Sequence, residues 1–81
     1  MTILLAEDEP QTAQLIEFKL KQAGFKVVHA RDGEQALALV GSTQPALVLL
    51  DGLMPVMDGF EVLRRLKEDL RTRAIPVIML T

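Results

Sequence analysis

Four short strand-like runs alternate with three stretches of helical period along the 81 residues, and this alternation limits the possible folds more than any other feature. TILLA (2–6) is an apolar run of strand formers, stopped by Glu7-Asp8-Glu9. Pro10 suits the first turn of a helix, where a missing N–H costs nothing. The spacing predicts that helix over 10–23, with Ala13, Ile16, Leu20 and Ala23 on one stripe and Gly24 at the stop. FKVVHA (25–30) reads as a second strand, and Asp32-Gly33 as a turn that caps a helix of 33–41 with Ala36, Leu37 and Val40 inward. Residues 41–45 read as a loop. ALVLL (46–50) is a continuous apolar run, as in a parallel strand covered on both faces. Asp58 can cap a helix of 59–70, with Val62, Leu63, Leu66 and Leu70 on one side. A polar loop (71–75) and a fourth strand, PVIMLT (76–81), follow.

The order β-α-β-α-β-α-β with short connections predicts one α/β domain over 1–81, an open parallel sheet with helices on both faces. Crossovers in such a sheet are right-handed. Without cysteine, no disulfide staples this small chain, and the composition suits a reducing cytoplasm. The net charge of −2 argues against nucleic-acid binding by this segment. MTILLAEDEP lacks the basic start of a signal peptide, and no apolar stretch nears the roughly 18–20 residues of a membrane span.

In an open parallel sheet, ligands bind at the edge where the strands end. The first strand ends in Glu7-Asp8, the third in Asp51, the fourth in Thr81, and the second near Ala30-Arg31. Three carboxylates therefore meet if the first and third strands are neighbours. Clustered carboxylates repel, and a hard divalent cation held by carboxylates, a carbonyl and waters relieves this; such a set suits Mg²⁺. The plainer alternative is that each acid caps a turn and faces solvent. Asp51 fits that alternative worst, because it follows an apolar run directly and lies too far before Asp58 to cap the next helix. We read it as neither cap nor turn residue. A carboxylate beside a cation can act as a nucleophile toward a phosphoryl group.

Glu7-Asp8-Glu9, then Asp51-x-x-Met54-Pro55-x-Met57-Asp58-Gly59, then Thr81 closing an apolar strand, resembles the receiver domain of two-component response regulators. The resemblance runs over the whole chain. It implies a flavodoxin-like, three-layer fold with strand order 2-1-3-4, in which the first and third strands are neighbours. It implies that Asp51 accepts a phosphoryl group from a phosphohistidine on a sensor histidine kinase or phosphotransfer protein. By the same resemblance Asp8 is a direct Mg²⁺ ligand, Glu7 acts mainly through water, and the Leu53 backbone carbonyl is a further ligand. Thr81 supplies a switch hydroxyl, and Pro55 and Gly59 shape the loop after Asp51. Such a domain is a signalling device that assists its own phosphorylation and dephosphorylation, not an enzyme with a separate substrate.

A full receiver would continue with a fourth helix, a fifth strand and a fifth helix. Ending at Thr81, the chain is expected to be a truncated receiver without the family's lysine after the fifth strand. Mg²⁺ binding is then expected to be weak, and phosphorylation of Asp51 slow or absent. The fourth strand would form an apolar edge, a template for pairing with another chain. Leu15 and Phe18 would face outward where the fifth helix packs. A homo-oligomer through that edge, or by element swapping, is the expected state.

Two other readings compete with this one. A Mg²⁺-dependent phosphatase of the haloacid-dehalogenase type carries a second Asp two positions after its nucleophile, where this chain has Leu53. A receiver-like interaction module without phosphotransfer is the other. His29 reads as structural or surface, the basic stretch Arg64–Arg73 as a solvated helix face, and Met54 and Met57 as loop packing.

Overall fold

The computed structural model describes residues 1–80. Its elements are β1 (Thr2–Ala6), α1 (Pro10–Gln22), β2 (Lys26–Ala30), α2 (Gly33–Thr43), β3 (Leu47–Leu50), α3 (Gly59–Glu68) and β4 (Val77–Met79). The strands form one parallel sheet in the order β2-β1-β3-β4. This is the flavodoxin-like order expected above, and it makes β1 and β3 neighbours.

Side chains alternate between the two faces of a strand. Leu4 lies beside Val28 and Val48, Ala6 beside Ala30 and Leu50, and Leu50 beside Met79. These residues join Ala36 and Val40 of α2 and Val62 and Leu66 of α3 in one core cluster. Ile3, Leu5 and Ala13 are buried outside that cluster, on the face covered by α1. That second face is covered only in part: Leu47 and Leu49 are half-buried and Ile78 is 52% exposed. The expected central strand buried on both faces is therefore fully buried on one face only, because α1 packs toward the β2 side of the sheet and leaves β3 and β4 less covered.

Element ends depart from the sequence reading for local reasons. Helix α1 stops at Gln22, so Ala23 is its exposed C-cap and leaves the apolar stripe. Gly24 follows at φ 96°, as a helix stop requires. Helix α2 runs on through residues 41–43, which read as loop. The Ser42 and Thr43 hydroxyls donate to the Leu39 carbonyl, and Gln44 takes the left-handed cap at φ 47°. Helix α3 ends at Glu68, short of the expected 70, because the Asp69 carboxylate accepts from the Arg71 N–H in a turn of its own. Leu70 is left 78% exposed, not inward. Thr72, in what read as a polar loop, is buried and donates to the Leu66 carbonyl at 2.8 Å, closing that helix end. The fourth strand is shorter than expected, and Thr81 lies outside the described residues.

Candidate metal centre

The β1 and β3 ladders deliver the acids to one edge. The Glu7 N–H donates to the Ala30 carbonyl at 3.0 Å and the Asp51 N–H to the Ala6 carbonyl at 2.9 Å, so each acid sits one step past its strand. Ligand oxygens of Glu7, Asp8 and Asp51 all lie within 4.8 Å of one another. Glu7 and Asp51 are buried and Asp8 is exposed. Burial raises the Glu7 carboxyl above its ordinary range, and a proton-sharing contact with Asp51 and the charges of Asp51 and Asp8 push the same way. The Glu9 N–H, bonded to Glu7 Oε2 at 3.3 Å, opposes this only in part. No cationic side chain bridges the three acids among the described ion pairs.

Such a set fits Mg²⁺. All donors are hard oxygens, three acids converge from two strand ends, and the crowded charges that add to burial in raising Glu7 are what a divalent cation would relieve. One exposed acid leaves room for the waters that Mg²⁺ retains.

The loop after β3 is held from several sides. Asp51 Oδ1 accepts the Leu53 N–H at 3.2 Å, an Asx turn. The expectation that Asp51 has no turn role is thereby corrected: one carboxylate oxygen shapes the loop. The Leu53 side chain is 76% exposed, so that position places few demands on its residue type. Met54 is buried and Met57 packs on the core, as loop packing predicts. Asp58 caps α3 through the Glu61 N–H at 2.9 Å, as read from sequence. A Cβ on Gly59 would collide with the Asp51 carbonyl, so α3 starts directly against the site. The Gly59 N–H donates to the Gly52 carbonyl at 3.0 Å.

Three contributors escaped the sequence reading. Gly33 lets the start of α2 touch the Met57 carbonyl, where a Cβ would clash. Val56 holds φ 70°, and the Met57 N–H donates to the Pro55 carbonyl at 2.7 Å, a γ-turn centred on a β-branched residue. Glu9 reads as one more clustered acid, yet it caps α1, accepting from the Gln11 and Thr12 N–H groups. Only the Pro10 after it hinted at that role.

The basic stretch behaves as a solvated face. Arg64 pairs with Glu61 and Glu68, Arg65 with Glu61, and Arg71 with Asp69. Lys67 donates to the Arg73 and Ile75 carbonyls. No helix among the described residues is long and apolar enough to cross a membrane.

Comparison with known proteins agrees with this geometry. A family model described as the response regulator receiver domain matches residues 3–81. The chain is 44% identical over 79 residues to the DNA-binding dual master transcriptional regulator RpaA of Synechocystis, covering 98% of this chain and 33% of that protein. It is 41% identical over 80 residues to the phosphate regulon transcriptional regulatory protein PhoB of Pseudomonas aeruginosa, covering 99% of this chain and 35% of that one. Among solved structures, the N-terminal domain of a response regulator receiver protein from Methanoculleus marisnigri superposes with a TM-score of 0.95 at 44% identity. That match covers 99% of this chain and 65% of the other. The receiver domain of a Pseudomonas aeruginosa sensor histidine kinase superposes equally well, TM-score 0.95 at 34% identity, over 99% of this chain and 66% of that one. It is described with a magnesium ion coordinated in its active site cleft.

Proposed function

The chain belongs to the response regulator receiver domain family, and on that footing we propose that it acts as the phosphoacceptor of a two-component phosphorelay, with Asp51 as the acceptor. The observation that supports this most is the convergence of Glu7, Asp8 and Asp51 at the ends of two adjacent parallel strands. A carboxylate oxygen of Asp51 attacks phosphorus, the P–N bond of a partner's phosphohistidine breaks, and the imidazole nitrogen leaves with the electron pair. The Leu53 N–H holds one Asp51 oxygen and so aims the other. Glu7 and Asp8 would hold Mg²⁺ with Asp51 and the Leu53 carbonyl, Glu7 mainly through water. That ion, when bound, shields the charge on the incoming phosphoryl oxygens. Thr81 is the proposed switch hydroxyl.

The partner is then a sensor histidine kinase or phosphotransfer protein. The chain spans only 33% of RpaA, a relative described as a DNA-binding transcriptional regulator, so the output of the whole protein is not part of this reading.

The test is incubation with Mg²⁺ and acetyl phosphate, read by intact mass. The expected result in the 81-residue chain is a slow and partial mass increase of one phosphoryl group that is lost in Asp51→Asn and without Mg²⁺. No increase, together with Mg²⁺ binding unaffected by Asp8→Ala, would leave the second reading, an interaction module without phosphotransfer. The specific observation favouring that module is the apolar surface of Leu15, Phe18 and Ile78, each more than half exposed.

A further inference from the structure

His29 is the one histidine in the chain. It lies on β2 directly beside Leu5 of β1. Its Nε2 stands 2.7 Å from the Glu7 carbonyl oxygen. A carbonyl can only accept, so Nε2 carries a hydrogen and donates.

That carbonyl belongs to the peptide joining Glu7 to Asp8. Rotation of this peptide unit changes ψ of Glu7 and φ of Asp8 together, and so redirects the two acids relative to each other. The neighbouring groups are secured by regular structure. The Glu7 N–H ends the β1–β2 ladder on Ala30. Glu9 begins α1 as its cap. Between them the Glu7–Asp8 carbonyl is past the strand and before the helix, and a side chain from the adjacent strand holds it.

We propose that His29 is a positioning residue for the acidic site: its Nε2–H fixes the Glu7–Asp8 peptide so that both carboxylates converge on Asp51. The alternative is that His29 merely fills space on a half-covered sheet face. An apolar side chain of similar size would fill that space without aiming a donor at a backbone oxygen. The inference rests on the Mg²⁺ reading of the three acids. Groups that orient metal ligands through one hydrogen bond typically change metal affinity about 10–100-fold when lost.

Three variants separate the two roles. His29→Leu keeps bulk and removes the donor. His29→Gln carries an amide N–H at nearly the reach of Nε2. His29→Asn carries one that falls short. Mg²⁺ is titrated into the 81-residue chain and followed through the amide resonances of Asp8 and Asp51, with the spectrum and thermal unfolding of each metal-free variant recorded alongside. His29→Leu and His29→Asn should bind Mg²⁺ roughly tenfold more weakly, and His29→Gln within about threefold of the parent. In the metal-free state, the Asp8 amide should shift and exchange faster in Leu and Asn and return toward the parent in Gln. If His29→Leu does not fold, the Gln–Asn pair decides. A folded Leu variant that binds Mg²⁺ like the parent, or Gln and Asn variants equally impaired, would overturn the proposal. Should the parent show no Asp8-dependent Mg²⁺ binding, the metal reading itself fails. The metal-free Asp8 amide then still decides whether His29 holds the peptide.

Discussion

Asp51 is 8% exposed, faces two further acids, and still gives one oxygen to the Leu53 N–H. The Glu7 carboxyl beside it is raised, by burial first and by the neighbouring Asp51 and Asp8 after that. A folded state that binds this proton more tightly than the unfolded chain loses stability as pH rises from the ordinary value of 4.5 to the raised one. Asp51→Asn removes one charge while keeping an acceptor for Leu53. It should raise the metal-free unfolding midpoint by roughly 4–8 °C, the shift about 1 kcal/mol gives in a domain of this size, and flatten that pH slope. Mg²⁺ should raise the midpoint of the parent but hardly that of Asp8→Asn, as expected for a ligand that binds only the folded site. Val56 is a strained residue, since a β-branched side chain at φ 70° is an outlier. Val56→Asn, which tolerates that region, should stabilise by about 0.5–1 kcal/mol in denaturant unfolding. Asp51 was legible in the sequence because an acid closing an apolar run has few innocent explanations. The Val56 turn was not, because contacts distant in sequence set it: Gly33 against Met57, and Gly59 against Asp51.

Helix starts and helix ends were unequally legible. Asp32 and Asp58 announce their helices because short acids at an N-cap bond the N–H three residues on, as both do. Glu9 does the same for α1 with a longer side chain that sequence preferences rank low. Gly24 announces the end of α1, but the ends of α2 and α3 were missed because Thr43 and Asp69 act through side-chain bonds to nearby backbone that residue type alone does not specify. Asp58→Ala should cost about 1 kcal/mol in denaturant unfolding. Gly59→Ala should cost more, since the new methyl meets the Asp51 backbone rather than a yielding side chain. It should also weaken Mg²⁺ binding, which Asp58→Ala should leave nearly intact. Farther along α3, the Arg64 and Arg65 guanidiniums hold Glu61 at about 2. A depressed acid contributes stability above its ordinary 4.5 that is lost as pH falls toward 2. The ion pairs lie at the surface, so the effect is small and screened by salt. Glu61→Gln should therefore flatten the acid limb of the stability curve between pH 4.5 and 2, and only in low salt.

At the scale of the whole molecule, the two sheet faces are unequal. One carries α2, α3 and the core cluster; the other carries α1 alone, packed against β2. The alternation of runs predicts helices on both faces but not how much of each face they cover, because coverage depends on the number of helices and where each crosses. The result is an open strip over β3 and β4 with Leu49 half-buried, Ile78 52% exposed and Leu80 37% exposed; Phe18 on α1 is 59% exposed. Among the described residues β4 pairs with β3 only, so its other side offers unpaired backbone groups. An apolar strip beside an open strand edge favours association with a second copy of the same chain. The 81-residue chain should therefore sediment as a concentration-dependent mixture with monomer. Because apolar burial and backbone pairing hold the contact, added salt should not dissolve it, whereas it would screen a charge-driven one. Ile78→Lys places a charge on the strip at a position already half solvated, and so should shift the mixture to monomer with little change in the monomer's own unfolding. A parent chain that sediments as monomer at every concentration, with a melt independent of concentration, would rule the association out. If Ile78→Lys leaves the association intact, the contact lies elsewhere, and Phe18→Lys tests the α1 side of the same strip.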